Sequence, residues 1–200
     1  MEFSEVVRRR RMVRRFSDEP IPRETLESIA AVAQRAPSAG FSQGQRLVIV
    51  TDPGLRRQLG LIVGEDEDEG WGRWVSRCAA QFVPCVSEAD YHARYREPDK
   101  LQADGSEIAW PVPYWWMDVG CTVMLILLAA VDAGLAAGFA GAEDPRELRA
   151  ALGIPERFVP VGVIPVGYPL PDRRSPSLAR GWRPREEFVR WNGWAPRSGG

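Results

Sequence analysis

The sequence predicts one soluble globular domain in which helices and strands are interspersed along the chain. Three observations predict it. The 200 residues are 44% apolar and 26% charged, enough chain for one substantial core and an ordinary balance for a folded protein. Helical patterns near 22–36, 52–62 and 144–153 alternate with short β-rich runs near 47–50, 81–87 and 158–167. Residues 114–135 are apolar almost throughout, with Asp118 and Asp132 as their only charges. A helix of that kind is buried on nearly all sides, which in so small a chain points to packing against a second copy. The run between the two aspartates falls short of the roughly 20 apolar residues of a membrane span, so no membrane partner is expected.

Taken in order, residues 2–11 predict a short helix with Phe3, Val6 and Val7 as its apolar positions. It carries the densest positive charge in the chain, Arg8, Arg9, Arg10 and Arg11, followed by Arg14 and Arg15. Guanidinium groups so close repel one another unless an anion sits among them. The run is a solvated basic face, a nucleic-acid arm or a grip on a phosphate, whose oxygens suit the planar fork of arginine. A net charge of −1 speaks against a nucleic-acid partner, which expects a broadly basic domain. β-Branched Val13 and then Asp18-Glu19-Pro20 end the helix. Pro22 in a first turn, Glu24 at the positive end and the stripe Leu26, Ile29, Ala30, Ala33 predict the next one, closed by Ala36-Pro37.

The small, polar stretch Pro37-Ser38-Ala39-Gly40-Phe41-Ser42-Gln43 is either a plain connection or a loop whose backbone approaches a ligand closely. Leu47–Val50 reads as a strand, and Asp52-Pro53 opens a helix with Leu55, Leu59 and Ile62 on one face. The acidic run 65–69 is expected to be a solvated, mobile loop, Trp71–Ala80 a helix, and Gln81–Ser87 a strand that Pro84 argues out of a central position. Residues 88–113 are polar and irregular, the pattern of a flap over a pocket. Within them His92, the sole histidine, reads as a surface group without a partner. Asp144 caps a helix that starts at Pro145, carries Glu147 in its first turn and closes at Gly153. Phe158–Gly167 reads as an edge or bulged strand because of Pro160 and Pro165. Residues 168–200 form an extended tail with a short structured element at 183–188.

Cys78, Cys85 and Cys121 have no CxxC spacing, so no metal site is expected, and their number suits a reducing, cytoplasmic setting. The eight tryptophans supply either core packing or a wall for a planar ligand.

Four segments, in this order, resemble the FMN-dependent nitroreductase family. They are Arg10-Arg11-Met12-Val13-Arg14-Arg15-Phe16 with Pro20-Ile21-Pro22, and Ala36–Gln43 running into a strand. The third is the buried helix ending at Ala129–Leu135, with Gly141 and Leu152-Gly153-Ile154-Pro155 after it. The fourth is Val166-Gly167-Tyr168-Pro169 with Arg183-Pro184 and Glu186-Glu187. The resemblance covers most of the chain outside 65–113.

It implies an α+β fold with a mixed central sheet flanked by helices, and a homodimer whose long buried helix lies at the interface beside two FMN sites. Arg10, Arg11, Met12 and Arg14 would meet the FMN phosphate and ribityl chain, and Arg180 and Arg183 would return to the phosphate. Pro37, Ser38, Ala39 and Phe41 would line the isoalloxazine from the other subunit, with Ala140 and Gly141 at its reactive edge. Phe41, Trp110, Tyr114 and Trp115 would face a small-molecule acceptor. No side chain is nominated as a catalyst, since flavin N5 carries the chemistry.

Members of the family carry serine where Met12 stands, and often asparagine at Phe41 and Pro-Trp at Gly44-Gln45. The activity implied is NAD(P)H-dependent reduction of nitroaromatics, quinones or enones. Alternatives are the dimethylbenzimidazole synthase branch, which has aspartate at Met12 and serine at Gly141, a biosynthetic flavin oxidase, and a non-catalytic flavin or polyanion binder.

Overall fold

The computed structural model describes residues 1–66, 68 and 70–194. Its elements are α1 (Phe3–Arg9), α2 (Arg23–Ala33), a 3-10 turn (Ala39–Phe41), β1 (Gln45–Val50), α3 (Pro53–Ile62), β2 (Ala80–Val86) and α4 (Glu88–Tyr95). They continue with α5 (Tyr114–Asp132), β3 (Ala136–Ala137), α6 (Pro145–Leu152), β4 (Val159–Pro160), β5 (Ile164–Gly167), a 3-10 turn (Pro176–Arg180) and α7 (Arg185–Phe188).

The local signals explain most of these. Asp52 caps α3 by accepting from the Leu55 amide at 2.7 Å, and Asp144 caps α6 by accepting from the Arg146 amide at 2.9 Å. Gly153 closes α6 in the left-handed conformation expected of it, at φ 61°. Leu26, Ile29 and Ala33 form the buried stripe of α2.

The sheet runs β1-β2-β5-β3, with β4 also paired to β2, and all these pairings are antiparallel. Its parallel component is the bridge from Met12 to Ala137, which lays the arginine run beside β3. Because β2 is buried on both faces, its residues alternate between two cores. Phe82 joins Leu26, Ile29, Ile126 and Ala130 of α2 and α5. Val83 and Cys85 join Leu59 and Leu148 of α3 and α6. The architecture is α+β in three layers, helix pair on sheet on helix pair.

Several expectations give way. Trp71–Ala80 forms turns rather than a helix: Gly70 and Gly72 sit at φ 60° and 61°, and the Glu65 carboxylate accepts from the Val75 and Ser76 amides at 2.8 and 2.9 Å. Glu65 is therefore buried, so the acidic run is not solvated throughout; its Glu67 and Glu69 lie outside the described residues, as do 195–200 of the tail. Pro84 occupies the central strand, where its carbonyl accepts from Val161 at 2.9 Å and its missing N–H costs one rung. Residues 88–95 of the expected irregular flap fold as α4, capped by Ser87. Helix α5 has the length and apolarity of a membrane span after all, yet its buried residues pack on other parts of the protein: Ile126, Leu127 and Ala130 on α2 and the sheet, Trp115 and Val119 beside Tyr91 of α4.

The strand at 158–167 breaks into β4 and β5, with β5 central rather than at an edge. The break centres on Gly162, at φ 149°. A Cβ there would lie 2.5 Å from the Ala140 carbonyl oxygen and 2.8 Å from the Phe139 ring. Gly162→Ala is expected to destabilise the fold by about 2 kcal/mol, read as a lower urea midpoint at unchanged slope.

Candidate functional site

The residues singled out in the sequence fall into two groups, one at each end of α5. The first is the arginine run. Beyond α1 the chain is extended and tied to the sheet edge, with the Val13 amide donating to the Ala137 carbonyl at 3.1 Å. Val13 and Phe16 are buried against Cys78 and Ala136 and anchor it. Neighbouring side chains of an extended segment face opposite ways. Arg11 and Val13, with Arg9, therefore open onto one cavity of about 180 Å³, walled by Val131, Gly134, Leu135 and Pro169.

Arg14 points elsewhere, its guanidinium 4.7 Å from the ring centre of Trp71 and 5.4 Å from that of Trp74. Stacking occupies the flat face of the guanidinium and leaves its N–H edge available to an oxyanion. Arg8 and Arg9 lean on Glu5 at 3.9 and 3.5 Å. Arg15 donates to the Pro171 carbonyl at 3.3 Å, and the Arg14 amide donates to Asp172 at 2.8 Å. Among the described residues no acid pairs with Arg10 or Arg11. Arg183 pairs with Glu187 at 3.4 Å, and no hydrogen bond or ion pair joins it or Arg180 to the arginine run.

The second group is the loop of Pro37, Ser38, Ala39 and Phe41. Gly40, Phe41 and Gln43 all adopt left-handed backbone conformations, at φ 61°, 58° and 51°. For Phe41 and Gln43 this costs on the order of 1 kcal/mol each and persists because the surroundings fix it. Ser38 Oγ accepts from the Gln43 amide at 2.9 Å, Ser42 Oγ donates to the Ala39 carbonyl at 2.6 Å, and Gln45 donates to the Pro37 carbonyl at 2.9 Å. From outside the loop, Arg94 Nε donates to the Gly40 carbonyl at 3.0 Å, and Asp118 Oδ2 accepts from the Ala39 amide at 2.9 Å. The same oxygen accepts from the fully buried Tyr91 hydroxyl at 2.8 Å. Burial, and then that hydrogen bond, raise the Tyr91 phenol above its ordinary pKa. Phe41 projects from the loop, 73% exposed.

Behind the loop lies an aromatic cluster. Trp110 meets Tyr95, Trp115 and Tyr114 with ring centres 4.6, 5.8 and 6.3 Å apart. Trp115 is buried within it, whereas Tyr114 lies at its exposed rim. His92 is not a lone surface group: it sits against Trp110 and Trp115, with Nδ1 2.5 Å from Glu107 and Nε2 3.4 Å from Glu88. Sequence reasoning missed this pair, since Glu107 lies fifteen residues on. It missed the roles of Arg94, Tyr91 and Asp118 too, although a lone carboxylate in the apolar half of a helix was itself a signal.

The Ala140 amide and carbonyl are both engaged by Val163, at 2.9 and 2.8 Å. Gly141 beside it is exposed, and a Cβ there would meet nothing within 4 Å. Asp118 and Val131 mark the two groups' places on α5. Thirteen residues separate them, roughly 20 Å along a helix that rises 1.5 Å per residue.

The α+β sheet edged by an arginine run, with a strained small-residue loop at the other end of α5, is the fold of the nitroreductase-type oxidoreductases. The nitroreductase family model matches residues 7–168, and the chain belongs to that family. It is 30% identical to an iodotyrosine deiodinase of Nematostella vectensis, over 94% of this chain and 74% of that protein. It is 31% identical to a 5,6-dimethylbenzimidazole synthase of Rhodospirillum rubrum, over 88% and 86%. Among solved structures, an FMN-dependent nitroreductase of Clostridium difficile superposes with a TM-score of 0.71 at 16% identity, over 94% of this chain and 98% of that one.

Glu107 also accepts from the Trp110 indole at 2.7 Å and from Arg96 at 2.9 Å. The indole, then His92 and Arg96, hold its carboxyl down at about 2. A depressed carboxyl stabilises the fold above its unfolded value near 4.5 and loses that contribution as pH falls toward 2. Glu107→Gln is accordingly expected to unfold at lower urea than the parent at pH 6. The gap should narrow steadily between pH 4.5 and 2. A gap independent of pH would remove the charge from the account.

Proposed function

We propose that the protein is an FMN-dependent oxidoreductase working as a homodimer, with NAD(P)H as donor and an electron-poor small molecule as acceptor. The observation that carries this reading is the separation of the two residue groups. Each is half of a site, and one chain holds them at opposite ends of α5. A two-fold axis crossing α5 sets two copies antiparallel and brings the loop of one beside the arginines of the other. The helix offers a seam for this: Met117, Gly120, Cys121 and Met124 are exposed at helical spacing on one face. Trp182, Phe188 and Trp191 in the C-terminal segment are more than 80% exposed and suit the same partner.

The donor set fits the cofactor. Arg10 and Arg11, without acidic partners, and Arg14, held flat on indoles, suit a phosphate dianion, and Arg180 and Arg183 add donors from the C-terminal segment. Ser38, Ala39 and Phe41 give a flat wall for a tricyclic ring, and Gly141 leaves room beside it. Met12, 39% exposed, presents a thioether rather than a hydroxyl. Bound FMN supplies two-electron transfer from NAD(P)H to the acceptor. The chain's own part is to bind and orient: Phe41 and the aromatic rim at Trp110 and Tyr114 favour a planar, aromatic acceptor, with Trp115 as backing. Nitroaromatics, quinones and enones meet that description. Likeness to iodotyrosine deiodinase adds halogenated phenols to the set worth assaying. Met12 and Gly141 lack the aspartate and serine of the benzimidazole synthase branch.

Purified protein should be yellow or turn so on adding FMN, sediment as a dimer, and bleach anaerobically with NADH or NADPH. Protein that stays colourless with FMN would end the flavoenzyme reading. Replacing Arg10 and Arg14 together by alanine should weaken FMN by at least about 100-fold, two charge-assisted hydrogen bonds being involved, while the dimer persists. Unchanged affinity would remove both arginines from the phosphate site.

A further inference from the structure

A loop that holds two non-glycine residues left-handed relaxes unless something outside it opposes the relaxation. The bonds within the loop (Ser38 to Gln43, Ser42 to Ala39) set its curvature but do not fix it to the body of the protein. Three side chains do so, one of them Arg46 of β1, which donates to the Gln43 carbonyl at 2.7 Å. Arg94 reaches the Gly40 carbonyl while its other nitrogens grip Asp99 at 2.7 Å each and Glu97 at 2.8 Å, so its position is set by its own helix end. Asp118 reaches the Ala39 amide from α5, the longest helix among the described residues. One carboxylate oxygen serves both that amide and the Tyr91 hydroxyl, tying α4, α5 and the loop at one point. Packing reinforces the geometry: a Cβ on Gly40 would lie 2.6 Å from the Tyr95 ring, and one on Gly44 2.6 Å from the Tyr91 ring.

We propose that Asp118 is the positioning residue of the site, its carboxylate holding the Ser38–Gln43 loop in the strained form that presents Phe41. The inference rests on the flavin reading for what Phe41 meets, but not for the clamp itself. A carboxylate in so apolar a helix is costly to cover unless its lone pairs are used, and half-buried Asp118 uses one oxygen for two donors, the loop's own Ala39 amide and the Tyr91 hydroxyl of α4. Asp118 also lies beside the seam at Met117 and Cys121. It thus fixes the loop relative to the surface from which the loop would reach the second copy's arginines.

The test is amide hydrogen exchange on the flavin-free protein, read at Phe41 and Gln43. Their N–H groups bond to Ser38 and not to Asp118, at 2.8 and 2.9 Å. Asp118→Ala should speed exchange at both by at least tenfold, with the β2 amides corrected for any loss of global stability. Asp118→Asn, which keeps an acceptor in place, should restore exchange to within about threefold of the parent. Tyr91→Phe removes the other bond to the same oxygen and serves as the control for a purely structural role. It should lower the melting temperature yet leave Phe41 and Gln43 protected. FMN titration of the same proteins should show at least a tenfold rise in Kd for Asp118→Ala alone. Unchanged exchange in Asp118→Ala, or equal acceleration in Tyr91→Phe, would overturn the proposal. If the parent protein binds no FMN while the exchange pattern holds, the flavin reading fails and the clamp stands.

Discussion

Helix α5 has 19 residues with charges only at Asp118 and Asp132, and α1, α2, α4 and one face of the sheet together cover only part of its circumference. Ile126, Leu127 and Ala130 take that cover and are buried, whereas Met117, Cys121 and Met124 remain in solvent. Burying an apolar side chain contributes about 1.5–3 kcal/mol, so the uncovered face is a substantial driving force for association. The same helix sets the spacing of everything functional. Its first half bears the carboxylate that holds the Ser38–Gln43 loop, and its far end walls the cavity into which Arg9 and Arg11 open. In the proposed homodimer a second copy would cover that exposed face and complete the site at once.

Local chemistry was legible in the sequence because its causes are local. Asp52-Pro53, Asp144-Pro145 and Gly153 each act within one turn of helix, and the caps form where those residues stand. Helix α4 was missed despite a comparable signal: Ser87 caps it and Asp90 lies three residues on, but Tyr91 is its only buried residue and no apolar stripe announces it. The segment from Trp71 to Ala80 was read as helix because its composition allows one. What decides its form is the Glu65 carboxylate, which takes up two amides ten and eleven residues away. Pro84 misled for a related reason, since the rule against central prolines counts a lost N–H and not the carbonyl that remains. For the site, residue types were legible and partners were not. The glycine and serines of the loop suggested close approach, but nothing near them in sequence points to Arg94 or Asp118.

The arginine run shows how a fold divides one motif among several tasks. Six guanidinium groups in a row look equivalent in sequence, yet alternation along an extended segment gives adjacent ones different surroundings. Arg8 and Arg9 still belong to α1 and use Glu5, three and four positions earlier on the same helix. Arg15 reaches the Pro171 carbonyl and helps bind the returning segment 168–172 against the run. Arg14 lies on Trp71 and Trp74, and Arg173 from the returning segment lies on Trp71 as well, 4.1 Å from its ring centre. Two cations share one indole there with no carboxylate paired to the guanidinium of Arg14. Each cation is attracted to the ring, and their mutual repulsion is relieved by negative charge nearby, such as Asp172 at the Arg14 amide. Arg10 and Arg11, which pair with no acid among the described residues, follow in sequence on an extended segment anchored by Val13 and Phe16. In the proposed FMN site their unneutralised charge would thus sit on backbone that buried neighbours hold in place, as a preorganised phosphate site requires.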